Sequence, residues 1–132
     1  MATSSCCGDG SSTLIFACSG SSNVGQLTHS LALRLTREGR GTMSCLAGVG
    51  AHLSGFVVSA KDCERLVAID GCDQRCALKV LEHVEARPHV YVNLTEQGFV
   101  KQHGVPTTEA ELERAHALTT DRLRGDSCSI AS

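Results

Sequence analysis

The stretch Arg65-Leu66-Val67-Ala68-Ile69-Asp70-Gly71-Cys72-Asp73-Gln74-Arg75-Cys76 restricts the fold more than any other in the chain. Its first half is a short apolar run with β-branched residues, the pattern of a buried strand. Asp70-Gly71 then turns the chain. Cys76, Ala77, Val80, Leu81 and Val84 follow on one face of a 3.6-residue period, which predicts a helix. The reading puts Cys72 at or just before the first helical turn, with Cys76 one turn later on the same face. Two thiols beside a helix N-terminus, where free N–H groups and the macrodipole favour thiolate, point to metal binding or thiol chemistry. The competing reading is that Cys76 packs as a small hydrophobe.

The rest of the chain repeats the alternation. Thr13–Cys18 reads as a strand, and Ser19–Gly25 as a loop with good N-cap residues. A helix carrying Val24, Leu27, Leu31 and Leu35 on one face runs to about Glu38, where Gly39 and Gly41 stop it. Thr42–Ala47 reads as a second strand, Gly48-Val49-Gly50 as a turn, and 51–63 as weakly helical or irregular. His89–Leu94 reads as a fourth strand after Arg87-Pro88. Thr108-Glu109-Ala110-Glu111 is a capping box opening a last helix, with Gly125 as its expected stop. Alternating strands and helices predict a single α/β domain over 13–125, with a mostly parallel sheet of about four strands flanked by helices. Residues 1–12, with Cys6-Cys7, read as a flexible Cys/Ser/Gly tail, and 126–132, with Cys128, as a frayed one.

In such sheets ligands gather beyond the carboxyl ends of the strands. Cys18, Cys45 and Cys72 all fall there, at or near the ends of predicted strands and at an equal sequence spacing that is the length of one βα unit. Neighbouring parallel strands lie ~4.8 Å apart, so three adjacent rim thiols are expected to converge, with Cys76 as a fourth. Four thiolates make the usual shell of a tetrahedral zinc; an iron–sulfur cluster or copper(I) also takes soft ligands.

Composition narrows the partners. Net charge is −2 and aromatics are 3% of the chain, which leaves neither a basic footprint nor a stacking platform for nucleic acid. No stretch approaches the roughly 18 apolar residues of a membrane span. The N-terminus has neither a basic start nor an apolar core of a signal peptide, so a cytoplasmic protein is expected. Eight cysteines in a reducing compartment favour metal or redox use over a disulfide framework.

Phe16-Ala17-Cys18-Ser19-Gly20, Cys45-Leu46-Ala47-Gly48 and Ile69-Asp70-Gly71-Cys72 with Cys76-Ala77 together resemble the DGC-domain family, named for its Asp-Gly-Cys motif. The resemblance spans about residues 13 to 101. It implies zinc binding through Cys18, Cys45, Cys72 and Cys76, a bacterial or archaeal source and no established reaction, beside the Rossmann-like sheet that the strand–helix alternation predicts. Lys61 and Lys101 also match its pattern, whereas Asp73 stands where many members have Pro. A four-thiolate zinc carries charge −2 and needs compensation. The amides after Cys72 and Cys18, and the cations Lys61, Arg75 and Lys101, are candidates for it. Asp70, Gly71 and His52 are candidate neighbours of the ligands.

Two other functions compete with zinc binding. One is a thiol–disulfide enzyme using Cys72 and Cys76, although no C-x-x-C is present. The other is a small-anion or nucleotide-binding module built on Gly20–Gly25. That loop is not a Walker A, since Gln26-Leu27 stands where Lys and Ser/Thr belong. It is not the C-x5-R loop of phosphatases either, since Val24 occupies the Arg position. Cys63 and Cys128 have no partner by sequence. The histidines other than His52 show no paired spacing and read as structural.

Overall fold

The computed structural model describes the backbone of residues 12–131 and the side chains of 12–125. The tail thiols Cys6, Cys7 and Cys128 lie outside the described side chains. In chain order the elements are β1 (Thr13–Ala17), α1 (Asn23–Arg37), β2 (Thr42–Met43), α2 (Leu46–Gly50) and α3 (Ser54–Asp62). They continue with β3 (Arg65–Asp70), α4 (Cys76–His83), β4 (Val90–Asn93), a 3-10 turn (Thr95–Gln97) and α5 (Glu109–Ala131).

The four strands form one parallel sheet in the order β2-β1-β3-β4. Period-two alternation divides its side chains between two layers of helices. Ile15, Ala17, Val67, Ile69, Val90 and Val92 face α1 and α5, meeting Val24, Leu27, Leu31, Ala115 and Leu123. Phe16, Leu66 and Ala68 face the other way, against Val49, Ala60, Ala77 and Leu81 of α2, α3 and α4. Both faces of β1 and β3 are covered, which is why these strands read as continuous apolar runs. Fully burying a Leu such as Leu31 or Leu81 is worth ~1.5–3 kcal/mol. No helix among the described residues is long and apolar enough to cross a membrane.

The α/β reading holds, with four local corrections. The second strand is only Thr42–Met43, and Cys45 leaves the sheet to become the N-cap residue of α2. Gly48-Val49-Gly50 is helical rather than a turn, and the ring of Phe56 packs against it. A Cβ on Gly48 would stand 2.6 Å from the Phe56 ring. Helix α4 begins at Cys76, a turn later than the pattern around Cys72 suggests, because Arg75 takes a left-handed backbone (φ 57) that no helix continues through. Finally, α5 passes through Gly125 and continues to Ala131, since an isolated glycine weakens a helix without ending it. The capping box is present in both directions. Glu111 N–H donates to Thr108 Oγ1 and Thr108 N–H to Glu111 Oε1, each at 3.1 Å.

Candidate metal centre

The chain leaves β1 for β2 on one side, while β3 pairs on the other side of β1. The carboxyl ends of β1 and β3 therefore flank the topological switch point, where open parallel sheets form a crevice. A cavity of about 120 Å³ opens there, and Cys18, Cys72 and Cys76 all line it.

Each thiol is placed by a different local device. Cys18 follows β1 directly, its N–H bonded to Ile69 O at 3.2 Å. Its half-buried Sγ receives the Gly71 N–H at 3.3 Å and lies 3.6 Å from Thr28 Oγ1. Burial pushes the Cys18 thiol above its ordinary range, and these two contacts pull the other way. Cys72 sits in the turn after β3, half-buried, with Lys101 Nζ donating to its Sγ at 3.3 Å. Cys76 is the first residue of α4 and is exposed.

Gly71 must lack a side chain. A Cβ there would stand 2.9 Å from the backbone C and O of Val24, so only glycine lets the end of β3 approach the start of α1.

Asp70 lines the cavity beside the three thiols and also organises the helix next to it. It is fully buried at the end of β3. Its carboxylate accepts the N–H groups of Ala77 at 2.8 Å and Leu78 at 3.0 Å, and the Tyr91 hydroxyl at 3.0 Å. It thus caps the very helix that carries Cys76. The α4 amides expected to compensate thiolate charge face this carboxylate instead. Burial, with the Asp70 charge beside it, pushes the Tyr91 phenol well above its ordinary range.

Lys101 reaches Cys72 because a strap over 99–107 crosses the start of α1. Asn23, 1% exposed, holds that strap. Its side-chain amide donates to Val100 O at 2.9 Å and to Glu111 Oε2 at 3.1 Å, and its Oδ1 accepts the Gln102 N–H at 2.6 Å. Asn93 steadies the turn from the other side, donating to Cys72 O at 2.9 Å. Sequence reasoning missed Asn23, Thr28, Tyr91 and Asn93. For Asn23 and Asn93 the one available hint was a polar side chain at the end of a helix or strand; Thr28 and Tyr91, inside their elements, gave none.

The remaining predicted residues are placed differently from one another. Cys45 is exposed and does not line the cavity of the other three; it lines a neighbouring, larger one of about 640 Å³ with Cys18, His29 and Met43. Lys61 is exposed in the last turn of α3 and lines neither cavity. Arg75 lines the first cavity but pairs with Glu96 at 2.8 Å. His52 faces His83 rather than the thiols. Cys63 donates to Ala60 O at 3.5 Å.

Among the described residues, no group of three or more His, Cys, Asp or Glu is placed to hold a metal ion. The pleat of the sheet accounts for part of this. Cys18 packs with the Phe16 face, whereas Cys72 packs with the opposite, Ile15 face.

A DGC-domain profile matches residues 14–118. The chain belongs to the DGC-domain family. A curated relative, the anaerobic and virulence modulator AnvM of Pseudomonas aeruginosa, is 40% identical over 101 residues, covering 76% of this chain and 77% of the relative. No solved structure matches the chain. The DGC motif itself is Asp70-Gly71-Cys72, and its three residues divide the work. Asp70 caps α4, Gly71 permits the close approach to α1, and Cys72 lines the cavity.

Proposed function

We propose that this DGC-domain protein binds one zinc ion through the thiolates of Cys18, Cys45, Cys72 and Cys76. One observation carries the reading. Cys18, Cys72 and Cys76 come from three separate segments yet line one cavity at the switch point. The donor set is of the soft kind that zinc takes. The Gly71 N–H on Cys18 and the Lys101 ammonium on Cys72 supply positive poles of the sort a four-thiolate site needs. Cys45 shares a cavity with Cys18 and is the fourth ligand, so binding requires the turn ahead of α2 to move inward. Bound zinc supplies a fixed cross-link between rim segments. This use needs reduced thiols and so fits a cytoplasmic chain.

The test is elemental analysis of protein purified under reducing conditions without added metal or chelator. About one zinc per chain is expected. Protein with no zinc and no measurable affinity for it overturns the reading, and a brown protein with visible charge-transfer absorption replaces zinc by an iron–sulfur cluster.

A second reading, thiol–disulfide exchange between Cys72 and Cys76, is favoured by the Lys101 ammonium on Cys72 Sγ. It requires a mixed disulfide with a partner at Cys72 that Cys76 resolves. A Cys76→Ser variant that traps no such adduct removes it.

A further inference from the structure

The geometry points to a second metal site, formed by the imidazoles of His52 and His83 and suited to a divalent zinc-like ion. Their Nε2 atoms face each other at 3.2 Å, with ring centroids 5.0 Å apart and planes at 83°. Two nitrogens bound to a tetrahedral zinc at 2.0–2.1 Å lie ~3.3 Å from one another. The two rings already stand at that separation.

The rings are brought together by tertiary structure. His52 occupies the turn between α2 and α3 and His83 is the last residue of α4. His52 holds a left-handed backbone (φ 61), rare for a residue with a side chain. The turn is closed on both sides of it by His52 N–H to Val49 O at 2.9 Å and Leu53 N–H to Gly48 O at 3.0 Å. The Cα–Cβ direction of His52 is therefore set by a constrained backbone. Among the described residues, neither imidazole has another hydrogen-bonding side chain or carbonyl. Both residues are exposed, so water completes the coordination. Imidazole nitrogen is a good ligand for zinc, nickel and copper.

The site is separate from the thiol rim. His83 lies seven residues beyond Cys76, ~10 Å along α4, too far for one ion to reach both. An ion on the pair ties the α2–α3 turn to the end of α4 and stabilises the folded state by mass action.

The experiment is a zinc titration of the reduced full chain, carried past one equivalent and followed by the imidazole proton signals and by calorimetry. A binding phase distinct from thiol binding is expected, with the His52 and His83 signals moving together. His52→Ala and His83→Ala should each weaken that phase at least tenfold and leave the thiol phase intact. Signals of both rings that stay still at millimolar zinc overturn the proposal. So does a phase that persists in the double variant. The wild-type spectrum decides the matter even where a variant folds poorly.

Discussion

Asn23 Oδ1 accepts the backbone N–H of Gln102 at 2.6 Å, across nearly eighty residues of sequence. This contact and its companion to Val100 O hold Lys101 between them, and Lys101 is the cation that touches Cys72. Asn23 thus connects the start of α1 to the charge at the candidate metal centre, without touching a thiol.

Replacing Asn23 by Ala is expected to leave the Gln102 N–H and Val100 O without their partner, at a cost of about 1–3 kcal/mol. Denaturant midpoints measure the loss. Hydrogen exchange should localise it to residues 99–104, with zinc affinity falling alongside. In Lys101→Met the affinity should fall while stability changes by less than about 0.5 kcal/mol, as for other exposed surface substitutions.

Asp70→Ala removes an acceptor from Ala77 N–H, Leu78 N–H and Tyr91 O–H together. The expected cost is about 2–4 kcal/mol, the sum of a lost cap and a buried unsatisfied group. Exchange protection should drop first in the opening turn of α4. Equal protection in variant and wild type there would mean that Asp70 does not cap the helix.

Gly71→Ala drives a methyl group against the backbone of Val24. Overpacking of this kind costs about 1–3 kcal/mol. Because β3 must then move away from α1, the variant should bind zinc more weakly even though every thiol is retained. Calorimetric titration of the reduced variant checks this.

Glu38 gives a pH dependence remote from the thiols. It stands 2.8 Å from His116 Nε2, accepts from Arg40 Nε at 2.9 Å, and pairs with Arg34. The His116 contact first, then Arg40, holds its carboxyl down to about 2. A carboxylate lowered in the folded state stabilises above its unfolded value, near 4.5, and loses that contribution as pH falls towards 2. Glu38→Gln should therefore be less stable than wild type at pH 7. Exposure limits the difference to roughly 0.2–1 kcal/mol. Melting curves of the two proteins should converge between pH 4.5 and 2.

Removing metal should loosen the rim and spare the sheet. Ile15, Phe16, Val67 and Ile69 are fully buried by helices on both sides, which requires no ion. Chelated, reduced protein is expected to keep most of its far-UV circular dichroism and to melt at a lower temperature. Loss of exchange protection in β1 and β3 would show instead that metal builds the fold.

The sequence by itself determined the α/β class and the placement of Cys18 and Cys72 just past the ends of two strands, whereas the order that makes those strands neighbours came only with the fold. The class and the placement follow from short-range physics: period-two and period-3.6 apolar patterns, turn residues and the Thr108–Glu111 capping box act within a few residues of each other. The sequence also pointed to one rim carrying Cys18, Cys45, Cys72 and Cys76, since strand ends in a parallel sheet share one rim, but three of the four line one cavity and Cys45 lines its neighbour.

Tertiary structure alone decided the rest. Cys45 left the sheet as the N-cap of a short helix, Leu46–Gly50, on which Phe56 from the next helix packs at Gly48. The α4 amides went to Asp70 because Arg75 starts the helix late, facing the end of β3. Asn23 met Gln102, and His52 met His83, through contacts between segments far apart in the chain. No periodicity records such pairings. They arise only when packed elements bring polar groups out of water and leave each to find a partner at the distance the fold allows.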